Sequence, residues 1–209
     1  MRPPPILRIA EVFPSVQGEG LRLGEPTIFL RLAGCNKRCP FCDTKHARRG
    51  GRASSPQALI AEALRIRRRF PCRWVCLTGG EPLLQDVAGL IRGLRAEGFR
   101  VHIETNGSVR LPPSADWYSV SPKPPDYGVD PGYIKKADEV KLVVTRGLTL
   151  AAVRAVRRSF PAKTPVLLQP QSNRAWSIHR GWTLLQRALA AGLPNIRLTV
   201  QAHKIFNLP

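Results

Sequence analysis

Three cysteines lie close together in the chain, at Cys35, Cys39 and Cys42, in the pattern Cys-x3-Cys-x2-Cys. A structural zinc site would need a fourth ligand, and His46 is the nearest candidate. A cubane [4Fe–4S] cluster is normally held by four thiolates, so three thiolates leave one iron open to a cofactor or substrate. Because the residues between them are mostly polar or charged, buried inert thiols are disfavoured. The spacing predicts an open-iron cluster, with zinc as the alternative.

A second group of residues suited to chemistry is Thr78-Gly79-Gly80-Glu81-Pro82, which follows a short apolar run. Glycines at the end of a strand allow the backbone to approach a ligand closely. The carboxylate of Glu81 offers an acceptor for an ammonium group. A tight turn before a helix is the structural alternative for the same residues.

The elements that must position these groups alternate along the chain. Strands are predicted over 6–12, 27–32, 74–77, 101–105, 117–120, 139–144, 165–169 and 196–200. Helices are predicted after the N-cap Ser55, before a stop at Gly98, and near 149–159 and 177–191. This alternation favours a parallel α/β sheet, with the reactive loops on the rim where the strands end. The connections 106–116 and 122–137 are too short or too proline-rich for good crossover helices.

The composition restricts the number of domains, the location and the partners of the protein, but it does not indicate a function. The 209 residues suit one compact domain, and no apolar run is long enough for a membrane span or a secretory signal. We therefore expect a soluble cytoplasmic protein with no membrane partner. The net charge of +19 would suit an anionic partner, with nucleic acid as the first guess. Because the arginines are dispersed and few aromatic residues accompany them, no direct nucleic-acid binding is expected.

The cysteine spacing, with Phe41 before the third cysteine and Gly-Gly-Glu-Pro after the next strand, resembles the radical S-adenosylmethionine (SAM) superfamily. In that superfamily the open iron chelates the amino and carboxylate groups of SAM. The resemblance implies SAM contacts from four segments of the chain. These comprise Phe41 and Asp43, then Gly79, Gly80 and Glu81, then Ser121, Pro122 and Lys123, and lastly Gln169, Pro170, Gln171 and Ser172.

Three further features narrow the resemblance, which runs from about Ile9 to Pro209. They are the segment Phe-Pro-Ser-Val-Gln-Gly-Glu-Gly over 13–20, the Asp43-Thr44 pair after the cluster, and the ending at Pro209. Together they resemble the 7-carboxy-7-deazaguanine synthase family. The resemblance implies ring contraction of 6-carboxy-5,6,7,8-tetrahydropterin to 7-carboxy-7-deazaguanine with loss of ammonia, in queuosine-type deazapurine biosynthesis. It also implies a partial, modified TIM-like barrel of about six parallel strands with a reduced number of helices.

The same resemblance implies further partners and sites. A Mg²⁺ ion would be held by Thr44, although the residue types alone would favour Asp43. The pterin would be bound by Val16, Gln17, Gly18, Glu19, Arg31, Thr78, His203 and Pro209, and Glu19 could assist proton transfer. A homodimer and an electron donor such as flavodoxin or ferredoxin are also implied. Within the single domain 1–209, segment 1–26 would contact substrate, 27–200 would form the barrel, and 201–209 would close the pocket.

Two other functions compete with this interpretation. An activase of a glycyl-radical enzyme would share the cluster, but it acts on a protein backbone and needs an open pocket. Such an enzyme would not require Gln17, Thr44 or an anchored Pro209. A basic nucleic-acid-binding module with a zinc site would be colourless, whereas a reconstituted iron–sulfur protein is brown.

Overall fold

The computed structural model describes residues 5–110 and 114–209, which form one nine-stranded sheet and five α-helices. The strands are β1 (Leu7–Val16), β2 (Pro26–Leu32), β3 (Arg52–Ser54), β4 (Trp74–Gly79), β5 (Arg100–Thr105), β6 (Trp117–Val120), β7 (Glu139–Val144), β8 (Val166–Pro170) and β9 (Ile196–Leu198). The helices are α1 (Pro56–Arg67), α2 (Ala88–Ala96), α3 (Leu150–Ser159), α4 (Ala175–Ala190) and α5 (Ala202–Ile205). No described helix combines the length and apolar character needed to cross a bilayer.

The strand order is β3-β1-β2-β4-β5-β6-β7-β8-β9, and β2 and β4 to β9 are mutually parallel. The protein is therefore an α/β partial barrel of the predicted kind, with a three-residue β9 as its last parallel strand. At the other edge, β1 runs antiparallel to both of its neighbours, β2 and β3. The sequence did not predict this direction, because the alternation of apolar residues gives a strand's faces but not its partner.

The predicted helix boundaries follow from local chemistry. Helix α1 begins after Ser55, whose hydroxyl accepts a hydrogen bond from the backbone N–H of Ala58 at 3.2 Å. The chain after α2 turns at Gly98, whose φ of +78° is in the left-handed region that glycine adopts without strain. Between β5 and β7 the described residues contain β6 and, as their only helical element, the short 3₁₀ turn Pro131–Tyr133, in agreement with the predicted lack of crossover helices.

Side-chain alternation divides each parallel strand into two faces. On β7, Val140, Leu142 and Val144 are fully buried in the apolar core, which the helices cover. Glu139 and Lys141 alternate with them and therefore point to the opposite, interior face of the barrel. The same alternation on β4 to β8 makes that interior face polar. The fold thus separates an apolar core between sheet and helices from a polar barrel interior.

Candidate active site

A cavity of about 240 Å³ lies where the parallel strands end, and it is lined by loops from both ends of the chain. All the predicted site residues except Glu81 and Pro122 lie on its wall. They are Val16, Gln17, Gly18, Glu19, Arg31, Cys35, Cys39, Phe41, Cys42, Asp43, Thr44, Thr78, Gly79, Gly80, Ser121, Lys123, Gln169, Pro170, Gln171, Ser172, His203 and Pro209. Residues distant in sequence therefore share one cavity.

The cysteine loop leaves β2 at Gly34 and is closed by a hydrogen bond from the Gly34 N–H to the Ala47 carbonyl at 2.9 Å. Arg48 also donates to the carbonyl of Cys39, which fixes the loop's far side. The three thiols are partly buried, and burial raises the pKa of Cys35. A loop held at both ends in this way presents its sulfur atoms to the cavity without a supporting strand or helix.

The donor set fits an iron–sulfur cluster with one open iron better than zinc. The zinc alternative needs His46, but its Nε2 lies 2.8 Å from Glu11 on β1. Cys72 contacts the Trp74 carbonyl at 3.7 Å, and Cys76 is fully buried on β4. Among the described residues, no fourth cysteine joins the three thiols on the cavity wall.

Gly79 and Gly80 allow close backbone packing within the protein, in addition to the close approach to a ligand that the sequence predicted. Gly80 donates its N–H to the Leu32 carbonyl at 3.2 Å. A Cβ on Gly80 would lie 2.2 Å from the Gly34 carbonyl oxygen and 2.7 Å from Cβ of Cys35. Gly80 therefore lets the end of β4 pack directly against the start of the cysteine loop, Gly79 packs against Leu32 of β2, and both glycines still line the cavity.

The expectation that Glu81 meets a ligand's ammonium is not met by this geometry. Glu81 is fully buried, and burial raises its pKa. Its Oε1 accepts from the Thr105 hydroxyl at 2.8 Å, and its Oε2 accepts from the Asn106 N–H at 2.7 Å. Its carboxylate instead ties the turn after β4 to the turn after β5. Pro122 is likewise buried away from the cavity wall.

The barrel interior contributes a buried lysine that the sequence analysis missed. Lys141 is 3% exposed, and its Nζ lies 2.8 Å from Glu19 Oε2 and 3.2 Å from Glu104 Oε1. Burial alone would raise the pKa of Glu104, but the charge and hydrogen bond of Lys141, together with the hydrogen bond of Gln17 and the charge of Arg31, hold that pKa below the usual value. The carboxylates in turn hold the pKa of Lys141 well above its usual value despite its burial. The available signal was a charged residue inside an apolar strand, as at Arg31.

Beneath these charges His102 connects three elements. Its Nδ1 lies 3.0 Å from Arg22 Nη1 and 3.2 Å from Gln17 Nε2, and its Nε2 lies 2.7 Å from the Ser119 hydroxyl. Because both groups facing Nδ1 are donors, we assign Nδ1 as the acceptor and place the single proton on Nε2. Burial, with the charge of Arg22, lowers the pKa of His102 well below its usual value.

Cys76, His102 and Glu104 place possible ligand atoms within 4.8 Å of one another, as a metal site would require. The guanidinium of Arg22, at 3.0 Å from His102 Nδ1, occupies the side on which a cation would bind that nitrogen. These side chains therefore form a hydrogen-bonded base to the cavity and not a metal centre.

The end of the chain is anchored at the cavity rather than free. The Ser15 hydroxyl donates to the Pro209 main-chain oxygen at 2.9 Å, and the Ala202 N–H donates to the Gly18 carbonyl at 2.8 Å. Gln201 Nε2 reaches Glu19 at 2.6 Å and Asp43 at 3.2 Å. The segment that follows β9 thus joins the β1–β2 connection to the cysteine loop.

Two side chains predicted to bind a ligand, Arg31 and Gln169, differ in whether they already have hydrogen-bond partners within the protein. Arg31 donates to Glu11 at 2.9 Å, which gives this strand arginine an internal partner while it still lines the cavity. Gln169 is 3% exposed and lines the cavity, yet neither atom of its amide has a hydrogen-bond partner among the described residues. Because buried polar groups are nearly always paired, Gln169 indicates a polar ligand in this space.

The class of protein follows from this geometry together with a family model. The Radical SAM superfamily model matches residues 30–121, which contain the cysteine loop and the turn at Gly79 and Gly80. The fold is shared with SuiB from Streptococcus suis, solved with S-adenosylmethionine bound, at a TM-score of 0.52 and 12% identity over 79% of this chain and 44% of that one. The partial barrel with an open three-thiol site is that of a radical SAM enzyme, a class that uses a [4Fe–4S] cluster and SAM.

Relatives of nearly full length define the family more narrowly. The 7-carboxy-7-deazaguanine synthase of Methanospirillum hungatei is 38% identical over 97% of this chain and 86% of its own length. That of Rhodospirillum rubrum is 36% identical, covering 97% and 92%. The crystal structure of QueE from Escherichia coli matches with a TM-score of 0.78 and 29% identity, covering 95% of each chain. This chain belongs to the 7-carboxy-7-deazaguanine synthase family.

Proposed function

We propose that this chain converts 6-carboxy-5,6,7,8-tetrahydropterin to 7-carboxy-7-deazaguanine with loss of ammonia, in queuosine-type deazapurine biosynthesis. The observation that carries the proposal is one cavity that joins the three-thiol loop to a set of carboxylates, amides and cations, most of them buried or half-buried. A flat heterocycle rich in N–H and C=O groups needs such a set of directional partners. Family membership over nearly the whole chain supports the same reaction.

Cys35, Cys39 and Cys42 would hold the cluster. When bound, the cluster and SAM supply a one-electron cleavage of SAM whose radical product removes a hydrogen atom from the substrate. Gly80 would fix the position of the cysteine loop through its close contact with Gly34 and Cys35, while Gly79 packs against Leu32 at the end of β2. The cavity-facing residues from β6 and β8 would bind the rest of SAM. They are Ser121, Lys123, Gln169, Pro170, Gln171 and Ser172.

The substrate would lie against the opposite wall, among side chains that offer acceptors and donors. Glu19 offers a carboxylate oxygen, while Gln17 is already bonded to Glu104 at 3.0 Å. Arg31 and Thr78 approach from β2 and β4, and His203 and Pro209 approach from the chain's end. Anchoring by Ser15 keeps Pro209 at the cavity, where its main-chain oxygen offers an acceptor. These residues would orient the ring and exclude water from the reacting carbon.

We infer that a Mg²⁺ ion would be held by Thr44 rather than by Asp43. The Asp43 carboxylate is already paired with Lys204 Nζ at 2.7 Å. Burial would raise the pKa of Asp43, but the hydrogen bond and charge of Lys204 hold it below the usual value. The Thr44 hydroxyl lines the cavity with only a long 3.7 Å contact to Cys42 Sγ. Magnesium keeps several waters and commonly binds a substrate anion, so one protein oxygen suffices.

We further propose one domain in which 1–26 contacts substrate, 27–200 forms the barrel and 201–209 closes the pocket. The contacts of Ala202 with Gly18 and of Pro209 with Ser15 support the two terminal roles over the described part of that domain. Homodimer formation, cytoplasmic location and reduction by a flavodoxin or ferredoxin complete the proposal. The presence of Gln17 and Thr44 on the cavity wall and the anchoring of Pro209 by Ser15 disfavour an activase, which would not require these features.

The test is incubation of anaerobically reconstituted, reduced enzyme with SAM, Mg²⁺ and 6-carboxytetrahydropterin, followed by mass spectrometry and an ammonia assay. We expect the deazaguanine product and ammonia in equal amounts. SAM cleavage without the deazaguanine product would overturn the substrate assignment. Omission of Mg²⁺ should reduce the amount of product formed by the unsubstituted enzyme, and it should reduce product formation less in the Thr44→Ala variant.

A further inference from the structure

Lys141 is the one described cation that pairs with both Glu19 and Glu104. Its Nζ lies 2.8 Å from one carboxylate and 3.2 Å from the other, and no other described ion pair includes either glutamate. Glu19 comes from the connection between β1 and β2, whereas Glu104 comes from β5 and Lys141 from β7. A single ammonium therefore sets the relative position of two acids that the sequence separates widely.

The pairing determines what the cavity offers to a ligand. Two carboxylates that face one ammonium at these distances are close enough to repel each other if that ammonium is removed. Because both carboxylates are largely withdrawn from water, one acid would then take up a proton or move away from the other. A protonated acid presents a hydrogen-bond donor where an ionised one presents only acceptors. Lys141 thus decides whether this part of the wall accepts or donates.

We propose that Lys141 is a positioning residue for the ring contraction, and that its ammonium holds Glu19 and Glu104 as a fixed pair of acceptors for the N–H groups of the substrate's heterocycle. The inference rests on the proposed function, since the pterin supplies those N–H groups. Gln17 completes the arrangement, because its Nε2 donates to Glu104 Oε1 at 3.0 Å. Gln201 does the same for Glu19 at 2.6 Å.

Other charged and titratable groups face this pair from every neighbouring element. They are Arg22 from the β1–β2 connection, Arg31 from β2, Cys76 from β4, His102 from β5, Lys123 after β6 and Glu139 from β7. Burial raises the pKa of Glu139, whose carboxylate is bonded to Ser119 and to the Leu21 N–H. Arg22 is paired with Glu25 at 2.7 Å, so it does not replace Lys141.

The experiment compares Lys141→Met with the exposed-site control Lys136→Met in the reconstituted enzyme. In Lys141→Met we expect kcat/KM for the pterin to fall by about 100-fold, because the acceptor pair loses its geometry. The acidic limb of the pH profile should move upward by about one to three pH units, because the neighbouring opposite charge is gone. SAM affinity and the cluster absorbance should match those of Lys136→Met. In a Glu104→Gln background the Lys141→Met substitution should lower kcat/KM much less than it does in the unsubstituted enzyme.

A second readout needs no substrate. Infrared difference spectra during an acid titration report the protonated carboxyl band, assigned to Glu104 by its loss in Glu104→Gln. We expect this band to appear at higher pH in Lys141→Met than in the unsubstituted enzyme. An unshifted band with an unchanged pH profile would overturn the positioning role. If the enzyme makes no deazaguanine while the band shifts as expected, the substrate assignment fails and the control of the carboxylates by Lys141 stands.

Discussion

Two walls of the cavity are built in opposite ways. The thiol wall, formed by Cys35 to Thr44 with Gly79 and Gly80, comes from one loop and one turn, and its thiols are partly buried. The polar floor comprises Gln17, Glu19, Glu104 and Lys141, with His102 and Glu139 beneath them. The floor's side chains are mostly buried, and each is bonded to another element.

The difference follows from what each wall must hold. Thiolates gain their binding energy from a metal cluster, so the loop needs only correct spacing and a firm attachment. Carboxylates and a lysine without water must satisfy one another, because an unpaired buried charge is costly. The residues of the thiol wall are close together in the sequence and can therefore be predicted from it. Those of the polar floor come from different elements, and the order of the strands brings them together. Four changes test this contrast.

The largest effect is expected from Cys39→Ala. Two thiols cannot hold the cluster with a single open iron, so we expect loss of iron, loss of the brown absorbance and no SAM cleavage. Iron analysis and anaerobic turnover measure these losses. Cys72→Ala is the matched control and should retain both properties, since Cys72 packs against the apolar core, donates to the Trp74 carbonyl at 3.7 Å and is not on the cavity wall. A coloured, active Cys39→Ala protein would contradict the ligand assignment.

Gly80→Ala tests how the thiol wall is attached. A Cβ at this position would lie 2.2 Å from the Gly34 carbonyl oxygen, so the start of the cysteine loop must move. We expect SAM cleavage to slow by about 100-fold while the barrel stays folded, because misplacement by an ångström is costly in catalysis. Single-turnover assays of 5′-deoxyadenosine formation measure the rate.

Gly89→Ala provides the control for that change. A Cβ on Gly89 in α2 meets nothing within 4 Å, so this substitution should leave the rate unchanged. It should stabilise the first turn of the helix by less than about 1 kcal/mol, because alanine has a higher helix propensity than glycine. Equal rates for Gly80→Ala and Gly89→Ala would show that the glycine turn does not position the loop.

Gln169→Leu tests whether an unpaired group is reserved for a ligand. Removing a buried amide without partners should stabilise the ligand-free protein by about 1–3 kcal/mol. The same change should weaken binding of SAM or substrate, measured by calorimetry. Gln85→Leu is the control for a paired amide, and it should lower the free energy of unfolding instead. The Nε2 of Gln85 donates to the carbonyls of Arg8 at 3.0 Å and Ala33 at 2.9 Å, and these bonds would be lost. A destabilised Gln169→Leu protein with unchanged binding would remove the ligand role.

The smallest effect is a pH dependence of stability from the polar floor. The pKa of His102 is lower in the folded protein than in the unfolded chain, so unfolding takes up a proton at acidic pH. Stability from this residue is therefore present above about pH 6.5 and falls below it, by at most about 1.4 kcal/mol per pH unit. Urea unfolding of His102→Gln should show a weaker loss on acidification than the unsubstituted protein. An identical pH dependence would mean that His102 is not buried as a neutral ring.

Much of the barrel was predictable because its strands are apolar runs bounded by turn residues. The predicted span 139–144 and the observed β7 coincide, and Ser55 caps α1 as expected. The direction of β1 was not predictable, because hydrogen bonding to β2 is a tertiary property. The same limit hid β3, whose three residues have too little pattern to indicate a strand.

The sequence by itself determined the cysteine spacing, the alternating elements and the segments that come together on one rim. Those features depend on residues that are close together in the chain, so the spacing of those residues is enough to predict them. Only the tertiary structure decided that Glu81 ties two turns together instead of facing the cavity, and that Lys141 lies between Glu19 and Glu104. The physical reason is the burial of charge. A carboxylate or an ammonium without water takes whichever partners the strand order brings within hydrogen-bond distance, and spacing along the chain does not record that order.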